Sequence, residues 1–277
     1  MTFRDRLRGG DLLAGTWVKT PHPHVVEVLA LSALDVLVLD AEHAPFDRAH
    51  LDACILAARA GGQPVLVRPG SSAHEHILNA LDCGADGVIV PHVRSAEEAR
   101  EIARACRYGP GGRGFAGSTR AAGYTTLGMA KHRQAAGDVC VIAQIEDVEG
   151  VDAIEAIAVV EGIDALFIGR ADLTISYEAD TPDDPIVVRA VERICAAGKA
   201  AGRTVGMFLG RTSDVPDWRA KGASLFVLQS DQEFLLKGAA TLFDQIVSEP
   251  APALAADTID HARPIAAQAA LEIHRNS

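Results

Sequence analysis

Two acidic residues, Glu146 and Asp172, stand where they could share a cation. Glu146 ends the apolar run VCVIAQIE, and Asp172 comes three residues after the run ALFIG. If these runs are neighbouring strands, the two acids are predicted to project from adjacent strands into one site. Carboxylate oxygens are the ligands that Mg²⁺ and Mn²⁺ prefer, and water and substrate can take the remaining positions. The same acids could instead pair with Arg68, Arg170 or Lys19, because buried charges need partners of opposite sign. The residues alone leave both interpretations open, a metal site and a structural ion-pair network.

Further polar residues follow other apolar runs of the chain. Asp40, Glu42 and His43 lie at the end of the run DVLVLD, and Arg68 ends the run VLVR. An imidazole exchanges protons near neutral pH, although a histidine at a strand end is more often structural. An arginine that follows an apolar strand is expected to meet an anion. If the runs are neighbouring parallel strands, these groups gather at one edge of the sheet.

Eight short apolar runs recur along the chain and predict β-strands. Several are nearly continuous segments of β-branched residues and leucine, which is typical of parallel strands covered by helices on both faces. Segments with helical periodicity separate the runs, and several of these segments end in glycine. The runs are GTWVKT (15–20), DVLVLD (35–40), PVLVRP (64–69), GVIVP (87–91), VCVIAQIE (139–146), ALFIG (165–169), TVGMF (204–208) and LFVLQ (225–229).

This alternation predicts a single-domain α/β protein with a closed (β/α)₈ TIM barrel over residues 1–249. The chain has 277 residues, and one such barrel typically needs roughly 250. A doubly wound sheet is disfavoured, because no Gly-rich phosphate-binding turn follows the first strand. Residues 250–277 are predicted to form a C-terminal helical extension. Active sites of such barrels lie at the carboxyl ends of the strands, where the polar residues stand.

The composition disfavours several classes of partner. The chain has 37 acidic and 26 basic residues and a net charge of −11, whereas nucleic acid and anionic membranes are bound by basic surfaces. The N-terminus has no apolar signal segment, and no run of 18 apolar residues occurs, so we expect a cytoplasmic protein without a membrane partner. The 5 cysteines are scattered within apolar stretches and are expected to be buried structural thiols.

Six motifs of the chain, taken in order, resemble those of the HpcH/HpaI aldolase family. Members of this family are class II, metal-dependent aldolases that act on 4-hydroxy-2-oxo acids and pyruvate. The resemblance extends from about residue 10 to about residue 248, and its motifs fall at the ends of the predicted strands. The motifs are LDAEHAP (39–45), PVLVRP (64–69), GVIVPHVRSAEEAR (87–100), RYGPGGRG (107–114), QIED (144–147) and FIGRADLT (167–174).

The resemblance implies a role for five residues of this sequence. Glu146 and Asp172 match the ligands of a divalent cation, which would be Mg²⁺, Mn²⁺ or Co²⁺. His43 matches the proton acceptor, and Asp82 matches the acid that raises the basicity of that histidine. Arg68 matches the residue that stabilises the oxyanion of an enolate.

The resemblance also implies residues that contact the substrate or support the site. Gln144, Ala171 and Asp172 match substrate-contacting positions, and Trp17 at the first strand is counted with them. Asp40 and Glu42 complete the D-x-E-H motif. They are expected to contact and orient the residues that bind the metal and the substrate. One departure is Arg170, which stands where the family commonly has proline, and this leaves the substrate in question.

By this resemblance, the reaction is the reversible cleavage of a 4-hydroxy-2-oxo acid to pyruvate or hydroxypyruvate and an aldehyde. A citrate/malyl-CoA-lyase-like reaction on the same scaffold is the first alternative, although no basic cluster clearly serves the CoA arm. A non-catalytic barrel that binds a sugar acid is the second alternative. It is disfavoured because binding alone would not need a base such as His43.

The resemblance further implies assembly into a homo-oligomer. Family members are commonly hexamers, so we expect a trimer of dimers. The expected small-molecule partners are a 2-oxo acid and an aldehyde, and no nucleic acid or membrane is expected. The Gly-rich connection over residues 107–125 is predicted to lie near the mouth of the barrel and at subunit contacts.

Overall fold

The computed structural model describes residues 1–248 of the chain. Residues 1–236 form one compact unit, and a second unit begins at Lys237. The helical extension predicted for residues 250–277 lies outside the described residues, and the domain boundary predicted at residue 249 stays a prediction.

Eight parallel strands close into a barrel in chain order, which confirms the predicted (β/α)₈ fold. Each strand pairs with the next along the chain, and the eighth pairs with the first. All eight predicted strands are present, with bounds shifted by two residues at most. The strands are β1 (Leu13–Val18), β2 (Val36–Asp40), β3 (Val65–Arg68), β4 (Gly87–Val90), β5 (Cys140–Ile145), β6 (Ala165–Ile168), β7 (Thr204–Leu209) and β8 (Ala223–Ser230).

Helices separate the strands and cover the outside of the barrel. Three short 3₁₀ segments, Arg120–Ala122, Ala136–Asp138 and Thr212–Asp214, lie in connections within the described part of the chain. The α-helices are α1 (Phe3–Arg8), α2 (Pro23–Leu29), α3 (Arg48–Ala60), α4 (His74–Asp82), α5 (Ala96–Ala105), α6 (Met129–Ala135), α7 (Val148–Asp152), α8 (Ile154–Ala158), α9 (Arg170–Ser176), α10 (Pro185–Ala200), α11 (Val215–Ala220) and α12 (Asp231–Ser248).

The strands are apolar throughout because both of their faces are buried. Successive side chains of a strand point to opposite faces, so Val36 and Val38 lie in the core inside the barrel. Leu37 and Leu39 lie in the outer core, between the sheet and the helices. The same alternation holds along the other strands, so the last inward position of each strand faces the mouth of the barrel.

Helix α1 closes the amino-terminal end of the barrel. Its Phe3 and Leu7 are buried and belong to the inner core together with Leu13 of β1. The hydroxyl of Thr204 donates a hydrogen bond to the backbone carbonyl of Leu7. The inner core is therefore sealed at this end, and the barrel is open only at the carboxyl ends of its strands.

Three aspartates join neighbouring strands at the closed end. Each stands directly before an even-numbered strand and accepts a hydrogen bond from a backbone N–H of the preceding strand. Because these N–H groups lie at the end of a strand ladder, the carboxylates satisfy donors that would otherwise be buried and unpaired. The pairs are Asp35 with Ala14 (2.9 Å), Asp86 with Val65 (2.9 Å) and Asp164 with Val141 (3.0 Å).

All five cysteines lie in the described region and are free and buried, as expected from the sequence. Burial raises the pKa of the Cys54 and Cys195 thiols to about 11 and that of Cys106 to about 12. These thiols stay protonated at neutral pH, and a protonated thiol is a poor nucleophile and metal ligand.

Helix α12 begins in the barrel unit, and its residues from Lys237 onward belong to the second unit. Its 18 residues make it the longest helix of the described chain. Across residues 1–248, we find no helix with the length and apolar character that crossing a membrane requires.

We predict that Asp164→Ala lowers the free energy of unfolding by about 1–3 kcal/mol, because it leaves buried donors without a partner. Asp164 is 4% exposed, and besides Val141 it accepts two bonds from Nε of Arg4, at 2.9 and 3.0 Å. Urea denaturation followed by circular dichroism measures the loss. Asp11→Ala is the control, since Asp11 forms an exposed ion pair with Arg6 whose loss should cost less than about 1 kcal/mol. Equal losses in the two variants would contradict the prediction.

Candidate active site

Polar residues occupy the last inward positions of several strands, at the mouth of the barrel. Each lies two residues beyond an apolar residue of the inner core, so the pleat of the strand points both side chains inward. The sequence predicted these residues at the strand ends, and the closed barrel brings them around one opening. Asp40 follows Val38, Arg68 follows Leu66, and Gln144 follows Ile142.

A buried ion pair joins β2 to β3 at this opening. Asp40 and Arg68 are register partners on the two strands, and Nη2 of Arg68 lies 2.9 Å from Oδ1 of Asp40. Nε of Arg68 donates a hydrogen bond to the same oxygen at 3.0 Å. The guanidinium also stacks on Trp17, 4.2 Å from the ring centre. Nζ of Lys19 lies 3.4 Å from Oδ2 of Asp40, so cations flank this carboxylate on both sides.

Glu42 lies beside this ion pair. Its carboxylate is 3.2 Å from Nε of Arg68, 3.5 Å from Nε2 of His92 and 3.6 Å from Nε2 of His43. Burial raises the pKa of Glu42, although the charges of Arg68 and His92 act in the opposite direction. The carboxylate is therefore only partly compensated by its neighbours.

Glu146 is held by two donors at the end of β5. The residue is 2% exposed, and the backbone N–H of His92 donates a hydrogen bond to Oε1 at 2.8 Å. The side-chain amide of Gln144 donates a second bond to Oε2. Burial raises the pKa of Glu146, and the negative charge of Asp172 adds to this effect. Glu146 and Asp172 are thus close enough to repel each other.

A glycine at the end of β6 makes room for Glu146. A Cβ atom at Gly169 would lie 2.6 Å from Oε2 and 2.7 Å from Cβ of Glu146. Contacts this short are not tolerated in packed proteins, so any side chain at this position would displace the carboxylate. The backbone angles of Gly169 are open to other residues, and close approach is the reason that glycine is needed.

Ala171 and Asp172 lie in the first turn of α9. The sequence analysis placed Asp172 on a strand adjacent to that of Glu146, and the structure instead places it on the helix that follows β6. Ala171 and Asp172 both line the mouth cavity, and the charge of Asp172 still acts on Glu146.

A cavity of about 310 Å³ fills the mouth of the barrel. The predicted residues Trp17, His43, Arg68, Gln144, Ala171 and Asp172 line it. Lys19, Phe208 and Gln229 line it too. The cavity thus has an apolar side formed by aromatic rings and a polar side formed by the strand ends.

Asp82 is the one predicted residue that the structure does not bring to this mouth. It ends helix α4, and its Oδ1 lies 2.5 Å from Nη2 of Arg113. Among the hydrogen bonds and ion pairs of residues 1–248, none joins Asp82 to His43. Its role toward that histidine stays a prediction.

Arg170, the departure from the family pattern, is bound away from the acids. Its Nη2 donates to the carbonyl of Pro182 at 2.9 Å and to Asp183 at 3.2 Å. The guanidinium lies 5.1 Å from the ring centre of Trp218. Although the residue borders the cavity, its charge is paired with Asp183 rather than with Asp172.

His92 is a site residue that the sequence analysis missed. It follows β4 by two residues, and no site residue had been assigned to the end of that strand. Its backbone is left-handed, with φ of 56°, which directs its N–H to Glu146. Burial tends to lower the pKa of His92, but the hydrogen bond to Asp147 and the nearby acids outweigh burial and raise it. The position of His92 just after a predicted strand could have identified it as a site residue from the sequence. Its left-handed backbone could not have been predicted in that way.

The donor set at the mouth fits a divalent cation. Oδ2 of Asp40 and Oε2 of Glu42 are buried and accept no hydrogen bond. One ligand atom from each of Glu42, His92 and Glu146 can be chosen so that all three lie within 4.8 Å of one another. Asp172 adds negative charge to the same place. A cation would relieve the cost of burying these acids together.

The chain is similar to proteins of one family over most of its length. A sequence model described as HpcH/HpaI aldolase/citrate lyase matches residues 13–238. A hydroxypyruvate/pyruvate aldolase of Roseovarius nubinhibens is 33% identical over 243 residues, which cover 86% of this chain and 93% of the relative. A 2-keto-3-deoxy-L-rhamnonate aldolase of Shigella sonnei is 35% identical over 206 residues, which cover 72% of this chain and 77% of the relative.

Solved structures show the same likeness. An HpcH/HpaI aldolase/citrate lyase family protein from Burkholderia cenocepacia is 33% identical, with a TM-score of 0.84, and the match covers 88% of this chain and 98% of that one. The citrate synthase SbnG is 31% identical, with a TM-score of 0.79, and the match covers 89% of this chain and 97% of that one.

We predict that Gly169→Ala weakens the binding of Mn²⁺ by about tenfold or more, because the added methyl group displaces Glu146. Isothermal titration of the metal-free protein with Mn²⁺ measures the affinity. Gly210→Ala is the matched control, since a Cβ atom there meets nothing within 4 Å. Unchanged Mn²⁺ affinity in Gly169→Ala, with both variants folded, would show that Glu146 does not hold the ion.

Proposed function

Because the chain belongs to the HpcH/HpaI aldolase/citrate lyase family, we propose that it is a divalent-metal-dependent aldolase acting on 4-hydroxy-2-oxo acids. The chain is an enzyme of the carbon–carbon lyase class, as its relatives named aldolases are. The proposed products of cleavage are pyruvate or hydroxypyruvate and an aldehyde. The observation that carries the proposal is the buried guanidinium of Arg68, which lines the mouth cavity and is paired with the carboxylates of Asp40 and Glu42.

The proposed ion is Mg²⁺, Mn²⁺ or Co²⁺, held by the carboxylates of Glu146 and Asp172. When bound, it supplies Lewis acidity that polarises the keto group of the 2-oxo acid. Gln144 and the N–H of His92 orient Glu146. Hydrogen bonds of this kind hold a metal-binding carboxylate in a fixed orientation.

Arg68 is placed to stabilise negative charge that develops on the substrate. Removal of a proton next to the carbonyl of a 2-oxo acid moves charge onto the keto oxygen and gives an enolate. The guanidinium lines the cavity and is fixed by Asp40 and Trp17. A cation fixed in advance does not have to reorganise as this charge forms, which is why such groups lower the barrier.

His43 is the proposed base. Its imidazole lines the cavity, and its backbone N–H donates to Asp40 at 3.2 Å. In the aldol direction, the imidazole takes a proton from the carbon next to the keto group, and that carbon then bonds to the aldehyde carbon. The aldehyde oxygen gains a proton and becomes the 4-hydroxyl group. Cleavage follows the same steps in reverse, with the base taking the hydroxyl proton.

Gln144, Ala171 and Trp17 are the proposed contacts of the 2-oxo acid. Oε1 of Gln144 is buried without a hydrogen-bond partner, so it can accept one from a bound molecule. The ring of Trp17 contacts both Arg68 and Phe167. It would provide a flat apolar surface for the substrate.

A citrate-synthase- or CoA-lyase-like reaction is the second candidate, and the likeness to the citrate synthase SbnG supports it. Both reactions begin with removal of a proton next to a carbonyl. Incubation in D₂O separates them, because the aldolase exchanges the methyl protons of pyruvate and the alternative exchanges those of acetyl-CoA. Assembly as a homo-hexamer is a further part of the proposal, and light scattering tests it.

We predict that metal removal abolishes carbon–carbon cleavage. The protein is treated with EDTA and assayed with 4-hydroxy-2-oxo acids made from a panel of aldehydes with pyruvate or hydroxypyruvate. Activity should return on addition of Mg²⁺, Mn²⁺ or Co²⁺, because the ion polarises the keto group. Cleavage that continues undiminished in the stripped protein would exclude the proposed mechanism.

We predict that His43→Ala lowers kcat by roughly 10²–10⁴-fold, the range for loss of a general base, and leaves metal affinity nearly intact. Steady-state kinetics and isothermal titration measure the two quantities. His50→Ala is the control, because His50 is an exposed residue of α3 that pairs with Asp47. Loss of metal binding in His43→Ala would mean that the imidazole has a different role.

A further inference from the structure

We propose that His92 supplies a nitrogen ligand to the divalent cation, beside Glu42 and Glu146. This ligand would make the site prefer ions that bind imidazole well, such as Co²⁺, over Mg²⁺. The inference rests on the proposed function only in placing the ion at this mouth.

The imidazole of His92 is oriented by a carboxylate on one side. Its Nδ1 lies 3.0 Å from Oδ2 of Asp147. Asp147 is held in turn by Arg94, whose Nε lies 3.0 Å from Oδ2 and whose Nη2 donates to Oδ1 at 3.2 Å. Histidines that bind metals almost always donate their other ring N–H to such an acceptor. In this arrangement Nδ1 carries the proton and Nε2 keeps its lone pair.

The free nitrogen of His92 faces the acids of the site. Nε2 lies 3.5 Å from Oε1 of Glu42, which is too long for a hydrogen bond. Two ligand atoms about 2.1 Å from one ion lie roughly 3–3.5 Å apart, so this separation suits a shared cation. Glu146 completes the group: its Oε1 lies 3.5 Å from Nδ1 of the same ring, and one ligand atom from each of the three residues lies within 4.8 Å of the others.

Two features of the surroundings point to a ligand rather than to an ion pair alone. The side chain of Glu42 is 9% exposed, and its buried Oε2 accepts no hydrogen bond although Nε of Arg68 lies 3.2 Å away. His92 holds a left-handed backbone with φ of 56°, which is uncommon for a residue other than glycine. This conformation directs its N–H to Glu146 at 2.8 Å, so His92 touches the ligand set through both its backbone and its ring.

A nitrogen ligand changes which ions bind well. Mg²⁺ favours an all-oxygen octahedron and keeps several waters, whereas Co²⁺ accepts imidazole readily. Glu146 and Asp172 alone would treat Mg²⁺, Mn²⁺ and Co²⁺ in much the same way. The ratio of Co²⁺ to Mg²⁺ affinity therefore reports on His92 directly.

The test compares the full-length protein with His92→Asn, both freed of metal. Asparagine tolerates left-handed backbone angles and keeps the N–H that binds Glu146. Isothermal titration should show Co²⁺ affinity lower by about tenfold or more in the variant, with Mg²⁺ affinity changed much less. His43→Asn is the matched control, because this histidine lies at the same mouth and should leave the affinity ratio unchanged.

A second measurement identifies the ligand itself. Proton NMR of the Co²⁺-loaded protein should show a strongly shifted, exchangeable imidazole N–H signal, present in His43→Asn and absent in His92→Asn. An unchanged affinity ratio, or a parallel fall for both ions, would overturn the inference and leave His92 a structural residue. Either result can occur while EDTA still abolishes cleavage, so this inference can fail without the proposed function failing.

Discussion

The ion pair between Asp40 and Arg68 is the interaction on which the rest of the mouth depends. The two residues are register partners on neighbouring strands and point into the barrel, where Asp40 is 0% exposed. Asp40 also meets Lys19 and the N–H of His43, and Arg68 also meets Glu42 and Trp17. Loss of either partner would leave the other buried charge with only its more distant neighbour, and breaking a buried ion pair typically costs about 3–5 kcal/mol. The pair thus ties the ends of the first three strands into one rigid wall of the cavity.

The part of the mouth around Glu146 has a different electrostatic character. Glu146 is buried between Gln144, His92 and Gly169, and its pKa is raised by burial and by Asp172. Burial and like charge dominate here, whereas Asp40 of the first wall is flanked by the cations of Arg68 and Lys19. This asymmetry suits the proposed reaction, in which Glu146 would help to hold a divalent ion and the guanidinium of Arg68 would stabilise charge on the substrate oxygen. The two groups of charges are separate because Asp40 and Arg68 lie on β2 and β3, whereas Glu146 follows β5.

Relatives of similar identity carry names with different substrates. One that is 33% identical is named for hydroxypyruvate and pyruvate, and one that is 35% identical is named for a deoxy-rhamnonate. Overall identity therefore does not specify the aldehyde. Three residues that line the cavity lie outside the proposed catalytic set: Lys19, Phe208 and Gln229.

The sequence by itself determined the barrel, the strands and most of the side chains at the mouth. Continuous apolar runs and the two-residue pleat are local properties, so Asp40, Arg68 and Gln144 could be placed at inward strand ends. Only the tertiary structure decided what depends on segments distant along the chain. It moved Asp172 onto α9, paired Asp82 with Arg113, pressed Glu146 against Gly169 and turned His92 toward the acids. These contacts form only when the barrel closes and the strand register is set. Local patterns of residue type therefore do not predict them.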